Sequence, residues 1–271
     1  MDANKYHAAM VTARRDFCSD LWMLRLRLPA PFPFQPGQYA TLAVEDAEGV
    51  HERAYSIVSS PGEAGPPEAE LEFFFELVPQ GELTPRLYRL QVGDTVHVRR
   101  SAKGLFVLDR KRGHRQHLLV ATVTGVAPYV SMLRSWVRDP AWAPPETRIV
   151  LIDAGSRSWE FGYADELRAL AARLPGVEVV LSVSRPWEDA GWTGERGRAE
   201  DLVRKYADAA GFKGGETSAY LCGHPQMIEN AKGILSRCGF SKPDIHEEIY
   251  FVLPKTGAQA VTPAVAGARS E

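Results

Sequence analysis

A chain of 271 residues is long enough for two domains with cores of their own, and 45% apolar with 24% charged residues is the make-up of an ordinary globular protein. A formal net charge of −2 argues against a nucleic-acid role for the whole molecule, and no apolar run reaches the ~20 residues that a membrane-spanning helix needs. Three scattered cysteines, Cys18, Cys222 and Cys238, rule out an intrachain four-cysteine iron–sulfur cluster and suggest no disulfide framework, so a reducing setting is expected.

In chain order, the first ten residues show neither the charged nor the apolar region of a signal peptide, and a cytoplasmic protein is expected. Residues 1–112 read as short strands broken by Pro and Gly, the pattern of a small antiparallel β-barrel. Leu24, Leu26 and Leu28 alternate with Arg25 and Arg27, which predicts a half-buried strand. The turn Phe34-Gln35-Pro36-Gly37-Gln38-Tyr39 leads into a strand over 40–44, another covers 71–78, and Gly93-Asp94 precedes one over 95–99. From residue 118 the rhythm changes. Strands are predicted over 118–121, 149–152, 177–183, 219–222 and 249–253, with helices over 128–138, 163–174, 199–206 and 226–238. Five strands separated by helices imply an α/β domain over 113–253, built on a doubly wound, parallel five-stranded sheet. The charged stretch Arg110-Lys111-Arg112-Gly113 marks the boundary, and the Pro/Ala/Gly-rich residues 254–271 read as a mobile tail.

Two such domains suggest one cofactor in each and a reaction where they meet. On a strand, Arg53-Ala54-Tyr55-Ser56 puts Arg53 and Tyr55 on one face and Ser56 on the other. A guanidinium can pair with a pyrophosphate, a phenol can lie flat on a tricyclic ring, and a hydroxyl can bond the ring nitrogen that takes a hydride. Thr122-Val123-Thr124-Gly125-Val126-Ala127-Pro128 follows a buried strand and opens a helix, where an open parallel sheet receives nucleotide phosphates. Ser184-Arg185 and Gly197-Arg198 supply a hydroxyl and two guanidiniums, the chemistry that a ribose 2′-phosphate requires. Cys222-Gly223 ends the fourth of the later strands, and Glu248-Ile249-Tyr250 lies in the last.

Phe34-x-Pro36-Gly37-Gln38-Tyr39, Arg53-x-Tyr55-Ser56, Gly81-x-x-Thr84, Thr124-Gly125-Val126-Ala127-Pro128, Cys222-Gly223 and Glu248-x-Tyr250 occur in one order. In these motifs the chain resembles the ferredoxin–NADP⁺ reductase family, particularly its bacterial branch, over roughly residues 15–251. The resemblance implies an FAD-dependent oxidoreductase that passes hydride between NADP(H) and flavin, and single electrons between flavin and a ferredoxin or flavodoxin. By it, Arg53 holds the FAD pyrophosphate, Tyr55 stacks on the isoalloxazine, Ser56 contacts the ring near N5, and Gly81 with Thr84 makes a second phosphate contact. Thr124, Gly125 and Pro128 take the NADP(H) phosphates, while Ser184, Arg185 and Arg198 favour NADP(H) over NAD(H). Cys222 and Glu248 line the nicotinamide pocket, and Tyr250 covers the flavin face opposite Tyr55, a role that Phe251 or the tail could share. The family usually has Gly where this chain has Val123, a departure that removes backbone freedom beside the phosphates.

Seven basic residues lie between 99 and 115 (Arg99, Arg100, Lys103, Arg110, Lys111, Arg112 and Arg115) against the single acid Asp109. This stripe reads either as a docking surface for an acidic redox partner or as a hydrated basic loop, and Arg99 or Arg100 could serve FAD itself. Cys18 and Cys238 read as structural, His51 and Glu52 as solvated neighbours of Arg53, and the seven histidines show no metal-ligand spacing. A monomer without a metal site is expected. Two alternatives stand beside the main reading: a reductase component that feeds an oxygenase or reduces free flavin or iron, and a non-catalytic flavin-binding module.

Overall fold

In the computed structural model, which describes residues 1–63 and 69–250, alternating apolar residues draw the first half of the chain into a six-stranded antiparallel sheet. Its strands are β1 (Tyr6–Asp16), β2 (Leu21–Leu28), β3 (Tyr39–Asp46), β4 (Gly49–Ser56), β5 (Ala69–Glu76) and β6 (Thr95–Arg99), in the spatial order β4-β3-β6-β1-β2-β5. Leu24, Leu26 and Leu28 point into the core while Arg25 and Arg27 face outward. The sheet curls until its ends meet: the Val58 N–H just past β4 donates to the Glu72 carbonyl on β5 at 2.8 Å. Trp22, Leu42, Phe73, Phe75 and Val98 fill the interior.

β1 was not evident from periodicity, because a register shift between Val11 and Ala13 breaks the alternation partway along the strand. One short helix, α1 (Thr84–Tyr88), lies between β5 and β6.

The second half forms a parallel sheet. In chain order it runs β7 (Gln116–Thr122), α2 (Ala127–Arg138), β8 (Arg148–Gly155), α3 (Ala164–Arg173), β9 (Val177–Val183), β10 (Glu195–Arg196), α4 (Ala199–Ala210), β11 (Thr217–Gly223), α5 (Pro225–Arg237) and β12 (Ile245–Ile249). The spatial order is β10-β9-β8-β7-β11-β12, with α2 and α3 on one face and α4 and α5 on the other. Six strands replace the expected five. The extra strand is the two-residue edge piece Glu195–Arg196, too short and too polar to leave an apolar signal. The last strand also ends at Ile249, where the prediction had it begin. Its sequence, Ile-His-Glu-Glu-Ile, is an edge strand paired on one side only, so it lacks the apolar run that marks a central strand. Residues 251–271, including Phe251 and the tail, lie outside the described residues.

The order reverses between β7 and β11, so the C-terminal ends of these two strands open the crevice in which sheets of this type bind ligands. That crevice faces the barrel. Leu21, Val58, Phe74, Phe106 and Leu108 from the first half share one core with Tyr129, Met132, Leu133 and Tyr163 from the second. Among the described residues no helix is long and apolar enough to cross a membrane.

Candidate active site

Ser56 closes β4 opposite Tyr39 of β3, and its side chain turns away from the barrel core toward the second sheet. There its Oγ donates to Glu248 Oε2 at 2.7 Å and lies 3.0 Å from the Tyr250 hydroxyl. Glu248 is the register partner of Cys222 on β11, which is in turn the partner of Ala121 on β7. The Tyr250 hydroxyl donates to the Thr124 carbonyl at 3.4 Å and lies within hydrogen-bonding reach of the Cys222 thiol. Ser56, Cys222, Glu248 and Tyr250 thus meet at one point between the domains.

Burial governs the charges here. Loss of water pushes the Glu248 carboxyl up to about 7, against the smaller opposite pull of the Ser56 hydrogen bond. The same cause raises the Cys222 thiol and the Tyr250 phenol well above their ordinary ranges, so both stay neutral at physiological pH. Glu248 alone of the three titrates near neutrality.

Tyr55, on the opposite face of β4 from Ser56, packs edge-on against Phe75 with ring centroids 4.9 Å apart and is partly buried against the barrel core. Arg53 donates to the Glu82 carboxylate at 2.6 Å and to the Glu52 carbonyl at 2.8 Å. Glu82 belongs to the Gly81–Thr84 turn, so this contact brings Arg53 and that turn together along the β4 edge. The turn is tight: the Gly81 N–H donates to the Val78 carbonyl at 2.8 Å, and a Cβ on Gly81 would sit 3.0 Å from the same oxygen. The Thr84 hydroxyl accepts from the Val78 N–H at 3.1 Å and so serves to close the turn.

At the crevice, residues Val123–Val126 form a single 3₁₀ turn that leads into α2, and neither Thr122 nor Val126 caps its helix with a side chain. The Ala127 N–H donates to the Thr124 carbonyl and Pro128 has none to give, so the N–H groups placed to meet an anion are those that open the 3₁₀ turn. Gly125 has no room for a side chain, since a Cβ would lie 2.2 Å from the Cys222 carbonyl. Pro128 is buried in the first turn of α2. Val123 has φ +48, a left-handed backbone that a β-branched residue adopts only under strain. The departure from Gly at this position therefore falls where Gly is conformationally favoured.

The 2′-phosphate candidates lie at the far end of the crevice. The Ser184 and Arg185 N–H groups donate to the carbonyls of Gly155 and Ser156 at 2.9 and 3.0 Å, which fastens the loop to the end of β8. The Arg185 guanidinium is half-exposed and lies 3.8 Å from Glu188, while Arg198 is exposed at the start of α4. Sequence reading passed over Arg157, which pairs with the same Glu188. It also passed over Tyr39, noted only as part of a turn although it is the strand partner of Ser56. The Tyr39 motif was the available signal; Arg157 had none.

One sequence expectation is corrected, and one is refined. Glu52 is not merely a solvated neighbour: it is half-buried, accepts from Tyr6, and pairs with Arg99 at 3.1 Å. Five arginines of the basic stripe hold partners within the protein, while Arg100, Arg110, Arg112 and Arg115, with Lys103 and Lys111, remain exposed, so the stripe still presents its charge to solvent. Besides Arg99, Arg100 donates to the Ala3 carbonyl at 2.7 Å, Arg112 pairs with buried Asp244 at 2.7 Å, and Arg110 and Arg115 hold the carbonyls of Trp142 and Pro145. Sequence alone could not reveal acceptors so distant along the chain. Among the described residues one group could gather around a metal, Asp46, Glu48 and His51, and Arg86 already pairs with both of its carboxylates.

A barrel and a parallel sheet that share a site at their junction define a two-domain oxidoreductase. Residues 8–106 match the oxidoreductase FAD-binding domain and residues 119–233 the oxidoreductase NAD-binding domain. The chain is 32% identical over 231 residues to the flavodoxin/ferredoxin–NADP reductase of Escherichia coli (strain K12), a match covering 82% of this chain and 86% of that protein. It is 30% identical over 247 residues to the reductase component of phenol 2-monooxygenase from Pseudomonas sp. (strain CF600), covering 90% of this chain and 65% of that one. A ferredoxin–NADP⁺ reductase from Neisseria gonorrhoeae, solved with bound FAD and NADP, shares the fold with a TM-score of 0.75 at 24% identity, covering 90% of this chain and 98% of that one. The chain belongs to the flavodoxin/ferredoxin–NADP reductase family. It is an FAD-dependent oxidoreductase with an NAD(P)-binding domain.

The residues present fit both cofactors. The partly buried Tyr55 ring and the neighbouring Arg53 suit a flavin and its phosphates, with exposed Glu82 the group that a phosphate would displace. Gly125 lets the turn pack directly on the Cys222–Gly223 backbone, which seats the start of α2 at the crevice where a dinucleotide phosphate would bind.

Proposed function

We propose that this enzyme transfers hydride between NADP(H) and FAD at the junction of Ser56, Cys222, Glu248 and Tyr250, and exchanges single electrons with a ferredoxin or flavodoxin. One observation carries the assignment: the Ser56–Glu248 hydrogen bond of 2.7 Å joins a barrel strand to the nucleotide sheet. Bound flavin supplies the chemistry, accepting two electrons together and releasing them one at a time.

The chain supplies position and electrostatics. Arg53, with the Gly81–Thr84 turn, holds the flavin phosphates, and Tyr55 supports one ring face. Ser56 keeps its hydroxyl beside the hydride-accepting edge, oriented by Glu248. Cys222, neutral and buried, forms the wall against which a nicotinamide packs. Tyr250 keeps water out of the gap between Ser56 and Thr124 until a nicotinamide enters. Thr124, Gly125 and Pro128 form the seat of the dinucleotide phosphates, and Ser184, Arg185 and Arg198 receive the 2′-phosphate. Three free cysteines agree with a cytoplasmic enzyme, and we propose a monomer.

A second reading, delivery of electrons to an oxygenase, is favoured by the 30% identity to the phenol 2-monooxygenase reductase component. Anaerobic absorbance spectra after stoichiometric NADPH or NADH, followed by addition of ferredoxin, flavodoxin or an oxygenase component, test the proposal. Fast bleaching by NADPH, slow bleaching by NADH, and reoxidation by ferredoxin or flavodoxin are expected. A flavin that neither nucleotide bleaches would overturn it.

A further inference from the structure

Glu72 on β5 is a charged residue inside the domain interface, only 1% exposed, and three donors converge on it. Arg134 of α2 reaches its Oε1 at 3.0 Å, the Tyr163 hydroxyl donates to the same oxygen at 2.8 Å, and Arg25 of β2 reaches Oε2 at 2.7 Å. Burial alone would drive this carboxyl upward, but the two guanidiniums and the phenol hold it below the ordinary range, so it remains a carboxylate. Arg134 also takes Glu166 of α3 at 2.6 Å and the Val58 carbonyl at 3.4 Å. One turn earlier on α2, the Ser131 hydroxyl donates to the Ser59 carbonyl at 2.8 Å.

The location of these contacts gives them their significance. Val58 and Ser59 follow Ser56 by two and three residues, so the clamp grips the strand extension that carries the flavin-side hydroxyl. At its other end α2 begins at the Val123–Val126 turn, the seat of the nucleotide phosphates. At 1.5 Å per residue, the helix puts Arg134 about 10 Å from its first residue, Ala127. A closed ring of contacts results: Ser56 to Val58 and Ser59, across to Arg134 and Ser131, along α2 to Thr124, and back through Tyr250 to Ser56. When a nicotinamide displaces Tyr250, the clamp is the link in this ring that persists.

We infer that Arg134, seated on Glu72 and seconded by Ser131, is a positioning element that sets the separation between the nucleotide loop and Ser56 for hydride transfer. An apolar contact would give cohesion without direction, whereas a guanidinium between two carboxylates and a carbonyl fixes both distance and angle. Hydride transfer is the step most sensitive to such geometry, because misplacement by about 1 Å can cost roughly 10²-fold in rate. The inference rests on the proposed meeting of nicotinamide and flavin beside Ser56.

The test is anaerobic stopped-flow reduction of the FAD-loaded full chain by NADPH and by 4-deuterated NADPH. It is paired with NADP⁺ titration followed by flavin absorbance, which reads binding and ring contact independently of turnover. For Arg134→Gln we expect FAD retained, NADP⁺ affinity within about threefold of wild type, and hydride transfer slowed roughly 30- to 100-fold with a full isotope effect. Arg134→Lys should recover part of the rate. Ser131→Ala, which removes one neutral hydrogen bond and leaves the ion pair intact, should slow transfer several-fold and serves if Arg134→Gln does not fold. Wild-type hydride-transfer rates in Arg134→Gln, or in Ser131→Ala where the former is not obtained, would overturn the inference even if thermal stability fell. Failure of the wild-type enzyme to accept hydride from NADPH would instead overturn the site assignment on which it rests.

Discussion

Ser56 and Glu248 stand 192 positions apart in the chain, yet their side chains share a 2.7 Å hydrogen bond across the domain junction. Removing the hydroxyl takes away a contact that matters most as the hydride arrives, so Ser56→Ala should slow flavin reduction by roughly 10²-fold with little change in NADPH affinity. Single-turnover reduction under anaerobic conditions measures this, and a wild-type rate would remove Ser56 from the mechanism. With the Glu248 carboxyl near 7, the wild-type reduction rate should titrate around neutrality, and Glu248→Gln should flatten that profile.

Val123 stores backbone strain at φ +48 in the loop that opens α2. Replacing a partly buried valine by glycine at an unstrained site is strongly destabilising. Here the relief of a left-handed β-branched residue, about 1–2 kcal/mol, offsets much of that loss. Val123→Gly should therefore unfold in urea within about 1 kcal/mol of wild type and bind NADP⁺ more tightly. A loss of several kcal/mol would show that the valine side chain matters more than the strain.

Arg185 is half-exposed and weakly paired, with Glu188 at 3.8 Å, so its guanidinium is available to a phosphate. Arg185→Ala should weaken NADPH by roughly 10-fold or more, as expected for loss of a charge-assisted contact worth about 1.5–3 kcal/mol, and leave NADH unaffected. The ratio of kcat/KM values for the two nucleotides is the readout. An equal loss for both would remove the 2′-phosphate role.

Asp153 on β8 is buried in the same register row as Ala121, Cys222 and Glu248, and its Oδ1 has no hydrogen-bond partner. Burial pushes its carboxyl up to about 8. A carboxyl raised in the native state stays protonated while the unfolded chain releases its proton, so the contribution of this group to stability falls as pH rises from the ordinary carboxylate range toward 8. Glu248 adds the same trend only up to about 7, which leaves the interval from 7 to 8 to Asp153. Over that interval wild type should lose up to about 1.4 kcal/mol, and Asp153→Asn should lose much less. Chemical unfolding at pH 7 and pH 8 compares the two, and parallel losses would refute the assignment.

Much of this protein was legible from local chemistry. The period of two in Leu24, Leu26 and Leu28, and the strand–turn–helix at residues 118–138, are set by backbone geometry acting over a few residues, so both domains and the motif residues could be read directly. β1 and the polar edge pieces at Glu195–Arg196 and Ile245–Ile249 were lost or misread, because a register shift or one-sided pairing removes the periodic signal. The acceptors of the basic stripe were not legible for a related reason, since a guanidinium's charge is local but its acceptor is not.

The site divides in the same way. The residue types of Ser56, Cys222, Glu248 and Tyr250 are written in the chain, and with them the kind of chemistry they can support. Their meeting at one point, the rise of Glu248 to about 7 and the clamp of Arg134 on Glu72 were decided only when the two sheets packed, and the strain at Val123 only when its turn settled within the second domain. Dielectric, distance and backbone compression are properties of what surrounds a residue. In this protein those surroundings come from segments up to 194 positions away.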